Sequence, residues 1–198
     1  MVARSGHPDW ITLRGSYGSA VQAGQLDAYW RKRWQKFEQF AVWLSGPSLP
    51  TLSIEQATAL YRASGSRHSQ DFKTNSIGEI RDSLDFLLYD TIKLEGRFDE
   101  CVSPGGAYQL AGAGKEFVSY LLCLREPGLF GLWGSQVERS LKFLGLYPAT
   151  LSQGHWGLRY LDLLDALQRV RLQMGLVDFR EVDRFAHWVA RSVPQTRK

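Results

Sequence analysis

The chain is poor in the residues and patterns that would make several functional classes easy to recognise. It carries two cysteines, Cys101 and Cys123. Two scattered thiols build neither a disulfide framework nor a four-ligand zinc site. They read instead as buried, inert groups in a reducing compartment. The four histidines, His7, His68, His155 and His187, are scattered, and none pairs with another His or a Cys at ligand spacing. No metal and no cofactor are therefore expected. No apolar run approaches the roughly 20 residues that span a bilayer. The first residues lack the charged-then-apolar pattern of a secretory signal, so a cytoplasmic protein without a membrane partner is expected. Internal repeats, low-complexity tracts, alternating strands and Asn-Gly hairpins are all missing, which argues against an all-β or repeat architecture.

What is present is ordinary globular composition, 44% hydrophobic and 22% charged, with an excess of aromatics: seven Trp, eight Tyr and ten Phe. The 198 residues suit one domain with a real core. The net charge of +4 favours polyanionic partners only weakly. Residues 1–24 are rich in Gly, Ser and short polar side chains and predict an irregular leader. From Gln25 a helical stripe runs through Trp30, Trp34, Phe37, Ala41 and Leu44. Its basic cluster, Arg31, Lys32, Arg33 and Lys36, reads as a solvated helix face, with a phosphate-binding face as the alternative. Gly46 to Pro50 ends that helix. Ser53 and Gln56 have capping-box spacing and open another, followed by a loop-like stretch over residues 64–76. Ile77, Ile80, Leu84, Leu87, Leu88, Thr91 and Leu94 form a long stripe, after which Gly96 and residues 103–106 read as turns. Further helices are predicted over 115–125, 135–144, 158–174 and 179–192, the last opened by Asp178 and Glu181. The expectation is one all-α domain over residues 25–198.

The most informative stretch is Leu110 to Lys115, where Gly112, Ala113 and Gly114 precede an apolar helix. Backbone N–H groups there, the positive end of the helix dipole and Lys115 together suit a phosphate oxygen. Glycine admits positive φ and close approach of a nucleic-acid backbone. Alone the pattern is weak and usually marks a tight turn. Its context adds more: Phe117 to Leu124 is apolar, and Phe130, Trp133, Gly134, Val137 and Arg139 follow.

The whole arrangement resembles the core signature of the helix-hairpin-helix DNA glycosylase superfamily, in which a Leu-Pro-Gly-x-Gly hairpin and its helix precede Asp-x-x-Val/Ile-x-Arg. The resemblance is closest over about residues 105–145. Together with the ending Leu176 to Trp188, it looks like the 8-oxoguanine-glycosylase-fold proteins of bacterial anti-phage defence operons. It implies a glycosylase-like helical domain without an N-terminal β-domain, and contact with DNA or a purine-like base through Gly112, Ala113, Gly114, Lys115 and Arg139. Two departures matter. The superfamily's essential Asp is here Gly134, and the attacking Lys of its bifunctional members is here Glu116. Lys115 lies one residue early, and on a helix one residue rotates a side chain by roughly 100°. No catalytic residue can therefore be assigned, and the pattern favours recognition over excision.

Phe130, Trp133 and Trp188 are candidates to line a base pocket, because base readers stack purines between aromatic rings, although core packing is the commoner role. Asp162 and Asp165, at i and i+3 on one helix, are the candidate replacement carboxylates if a glycosylase or lyase activity persists with a relocated acid. A non-enzymatic scaffold for an operon-encoded partner protein is the third reading.

Overall fold

The computed structural model describes residues 8–152 and 154–192, which form α-helices, short loops and two 3-10 turns, with no strand among them. The protein is all-α. No helix among the described residues is long and apolar enough to cross a membrane.

The N-terminal stretch differs from the irregular leader suggested by composition. Helix α1 (Trp10–Gln22) starts at Asp9, whose carboxylate accepts from the backbone N–H groups of Ile11 and Thr12. Gly15 and Gly18 each disfavour a helix by about 1 kcal/mol. Tertiary contacts outweigh that cost: Tyr17 meets Phe185 edge-on at 5.2 Å and Trp188 at 5.7 Å, and Arg14 Nε donates to the Gln173 carbonyl. His7 lies outside the described residues.

The stripe from Trp30 to Leu44 forms two helices, α2 (Asp27–Trp34) and α3 (Phe37–Trp43), separated at residues 35–36. No Pro or Gly forces this break. Trp34 is buried against Tyr120 at 5.2 Å, and Phe40 and Leu44 bury farther on. Helix α4 (Ile54–Ser64) carries the Ser53–Gln56 capping box with both reciprocal bonds formed. The short α5 (Ser69–Phe72) interrupts the stretch expected to be a loop. Helix α6 (Ile77–Tyr89) also has a capping box, Ser76 with Glu79.

Gly96 does not end a helix; it lies inside α7 (Leu94–Val102). That helix is pressed onto α10 (Trp156–Met174) so closely that a Cβ on Gly157 would fall 1.9 Å from the Glu95 carbonyl oxygen. Only glycine permits this backbone approach. The central element is α8 (Lys115–Arg125), buried at every position from Phe117 to Leu124 and surrounded by α3, α4, α6 and α7. A helix apolar on all sides belongs at the centre of a core. Helix α9 (Ser135–Phe143) follows, and α11 (Phe179–Ser192) packs chiefly on it. Asp178 caps α11 by accepting from the N–H groups of Arg180 and Glu181, while the Glu181 carboxylate reaches back to Val177 N–H. Both cysteines are buried and unpaired.

Candidate functional site

The Leu110 to Lys115 hairpin is held from below by side chains far away in sequence. Tyr61 Oη donates to the Gly112 carbonyl at 2.7 Å and accepts from His68 N–H at 3.1 Å. The Asn75 amide brackets Ala111, donating to its carbonyl and accepting from its N–H. Gly112 has φ +70°, and a Cβ there would lie 2.5 Å from the His68 carbonyl oxygen and 2.7 Å from Phe72 N. This glycine is required by packing on α5 as well as by its left-handed backbone. Gly114 is the N-cap of α8 in extended conformation and supplies no side-chain acceptor. Ala113 is half-buried against the core.

The Lys115 ammonium does not project freely. It is ion-paired with Glu138 and lies 4.7 Å from the ring centre of Trp133 and 5.6 Å from that of Trp156. Arg139 is exposed on α9, and its side chain makes no hydrogen bond or ion pair among the described residues. The three aromatic candidates belong to the core. Trp133 is fully buried, donates its indole N–H to Glu138 and stacks with Phe98 and Tyr160. Trp188 packs on Tyr17 and Phe185, and Phe130 is a partly buried neighbour of the same core. Asp162 and Asp165 border a separate depression with Tyr147 and Arg169.

None of these aromatic or Asp side chains lines the cavity of about 550 Å³ that opens beside Gly134. Its walls include Tyr29, Arg33, Glu116, Ser135, Gln136 and His187. Glu116 stands in the first turn of α8, and a Cβ on Gly134 would lie 2.9 Å from its Oε1. The Gly134 backbone is extended, so the restriction there is one of space alone. Residues 116 and 134, the two departures noted in the sequence, thus adjoin each other, with the carboxylate on 116.

Behind Glu116 lies a buried charge cluster. Arg33 Nη2 is 3.2 Å from Glu116 Oε1, and Nη1 is 3.5 Å from Asp183 Oδ1. Asp183 Oδ2 accepts from Tyr29 Oη at 2.8 Å and from Trp34 Nε1 at 2.9 Å. Tyr120 Oη donates to the Arg33 carbonyl. One guanidinium therefore serves two carboxylates. Burial raises the pKa of Asp183 above the usual carboxylate range despite Arg33, Tyr29 and Trp34. Burial also raises that of Glu116, with Arg33 opposing and the Asp183 charge adding to the rise. Burial alone would weaken proton binding by Arg33, but Asp183, Tyr29 and Glu116 hold it charged.

His187 stacks on Tyr29 with ring centres 3.7 Å apart and planes inclined by 10°. Burial, reinforced by Arg191 and Arg33, pushes its pKa down to about 4, so the ring is neutral near pH 7. Its Nδ1 lies 2.8 Å from Gln136 Oε1, an acceptor that selects the Nδ1–H tautomer and leaves Nε2 as an acceptor. Around the rim stand Lys32 from α2, Arg67 from the loop after α4, and Arg191 from α11. All three are exposed and have no ion pair among the described residues.

The basic cluster of α2 is thus divided: Arg33 turns inward and Lys32 faces the cavity, so the solvated-face reading fails for Arg33. Sequence reasoning missed Tyr29, Asp183, Gln136 and His187 as site residues. The available signal was Asp183, an acid among the apolar positions of α11. No group of three or more His, Cys, Asp or Glu able to hold a metal ion occurs among the described residues. The chain matches no protein-family model, no curated protein and no solved structure.

Proposed function

We propose that the protein binds nucleic acid or a nucleobase-bearing ligand in the cavity beside Gly134, on a helix-hairpin-helix glycosylase-like scaffold and in the antiviral setting that its sequence resemblance implies, without conventional base excision. The observation that carries this reading is the composition of the cavity wall. A stacked Tyr29–His187 pair, a hydrogen-bonding Gln136 and a carboxylate line a space of about 550 Å³ under a cationic rim. That volume lies within the range of small-ligand sites and can admit one nucleotide. Aromatic rings and polar edges read a base, while exposed Lys and Arg attract phosphate. Gly134 offers no carboxylate to stabilise a breaking glycosidic bond. Fluorescence anisotropy with short single- and double-stranded DNA and RNA, and calorimetry with free purines, should detect salt-sensitive binding. Absence of binding to every one of these at low salt would overturn the reading.

A second reading, retained bond cleavage, is favoured by one contact: the Glu116 carboxylate fills the space that any side chain on residue 134 would need. The acid would then have moved to residue 116 rather than to Asp162 or Asp165, which border another depression. Release of free base from DNA carrying damaged purines, abolished by Glu116→Gln with binding retained, is the expected result of this reading. No release leaves recognition as the function.

A further inference from the structure

The distribution of charge around the cavity narrows its ligand further. The inner part is without surplus positive charge, because the single guanidinium of Arg33 is shared by two carboxylates, Glu116 and Asp183. The rim is not. Lys32, Arg67 and Arg191 come from three separate segments and converge on one opening. None forms an ion pair among the described residues, although the charge of Arg67 acts on Glu116 and favours its ionised form. His187, beside them, is neutral near pH 7 and adds no charge. Ser135 and Gln136 on the same wall begin α9, whose N-cap, Gly134, has no side-chain acceptor. The positive end of that helix therefore adds to the rim cations. Meanwhile the lysine of the hairpin is neutralised by Glu138, so the uncompensated positive charge lies at the cavity rather than at Lys115.

A phosphodiester carries one negative charge, whereas a terminal phosphate carries roughly 1.5 to 2 near pH 7. Three unpaired cations at one opening suit the second group better. Resting on the nucleotide-binding reading above, we infer that the cavity selects a terminal phosphate monoester attached to a nucleoside, the chemistry shared by a free nucleoside 5′-monophosphate and the phosphorylated end of a nucleic-acid strand. The base enters toward Tyr29, His187 and Glu116, and the phosphate stays at the rim on Lys32, Arg67 and Arg191.

Calorimetry on the full chain at about 50 mM salt tests this with adenosine and guanosine 5′-monophosphates, the parent nucleosides, the 3′,5′-cyclic monophosphates and inorganic phosphate. The monophosphates should bind about tenfold or more tightly than the nucleosides and the cyclic diesters. Arg67→Gln and Arg191→Gln, both at exposed positions, should each lower monophosphate affinity and narrow the preference for monophosphate over nucleoside by about fivefold or more. A second arm compares 5′-phosphorylated with 5′-hydroxyl single strands. Preference for the phosphorylated strand over free nucleotides assigns the strand end as the source, and the reverse order assigns the free nucleotide. Equal binding of nucleoside and monophosphate overturns the inference, as does inorganic phosphate binding as tightly as the nucleotide. If 5′-hydroxyl strands bind as well as phosphorylated ones and monophosphates show no advantage, the inference falls while nucleic-acid binding stands. If no probe binds, both fall.

Discussion

Placing a single methyl group on residue 134 tests the geometry at the cavity most directly. In Gly134→Ala the new Cβ would lie 2.9 Å from Glu116 Oε1 and 3.2 Å from its Cδ. The backbone, at φ −116° and ψ 169°, accepts alanine without strain. Ordinary contact begins near 3.4 Å, so the carboxylate must retreat by about 0.5 Å. Oε1 is also the atom held by Arg33 Nη2 at 3.2 Å, and a retreat of that size, taken away from Arg33, ends the hydrogen bond while leaving a looser ion pair. Loss of that bond costs about 1 kcal/mol, discounted for the partial exposure of Glu116. For a chain of this length that lowers the melting temperature by about 2–4 °C. Circular dichroism melts of the wild type, Gly134→Ala, Glu116→Ala and the double variant form a cycle that isolates the contact. With the carboxylate gone, the methyl group has room, and its cost should fall to that of exchanging an N-cap glycine. A cost for Gly134→Ala that is the same in both backgrounds refutes the reasoning.

Asp183→Ala removes the deeper partner of Arg33 together with the acceptor for Tyr29 and Trp34. A loss of about 3–5 kcal/mol is expected in urea denaturation, because a buried charge is left short of partners. Gly65→Ala should destabilise more than Gly134→Ala in thermal melts, since residue 65 has φ +81° and its Cβ would lie 2.3 Å from Arg33 Nη2. The depressed pKa of His187 sets a pH dependence. Between the unfolded value near 6.5 and the folded value of about 4, the unfolded chain binds more protons, so this histidine's contribution falls as pH decreases across that window. NMR titration of the His187 ring should give a midpoint near 4, and His187→Gln should remove its share of the slope. Cys101, its thiol pushed up to about 12 by burial, and the fully enclosed Cys123 should react with a thiol reagent only on unfolding, followed by absorbance with and without denaturant.

Much of the helical framework is legible in the chain because its signals are local. Asp178 and Glu181 mark the start of α11, Ser53 and Gln56 that of α4, and the glycines before Lys115 and Ser135 mark those of α8 and α9. The elements that differ are those in which distant contacts override local preference. Helix α1 tolerates Gly15 and Gly18 because Tyr17 docks on α11, and α7 tolerates Gly96 because it is pressed onto α10. The site was legible only in part. Glu116 and Gly134 are the two positions at which the chain departs from the pattern it resembles, and they adjoin each other beside the cavity. Arg33 does not stand out, because its partner Glu116 lies 83 residues away. Asp183 likewise meets Trp34 across 149 residues. The stacked Tyr29–His187 pair joins α2 to α11, and no helical period encodes such a meeting.

The reliance of the cavity on α11 also fixes when it can come into being. A ribosome delivers Arg33, Glu116 and Gly134 well before Asp183, His187 and Arg191. Until α11 has emerged, the guanidinium lacks its deepest counter-ion, Tyr29 lacks its stacking partner and one wall is missing. The cavity is therefore complete only once α11 has been made and has docked. Its walls join residues 28–33 to residues 187 and 191, so segments far apart in the order of synthesis share one structure.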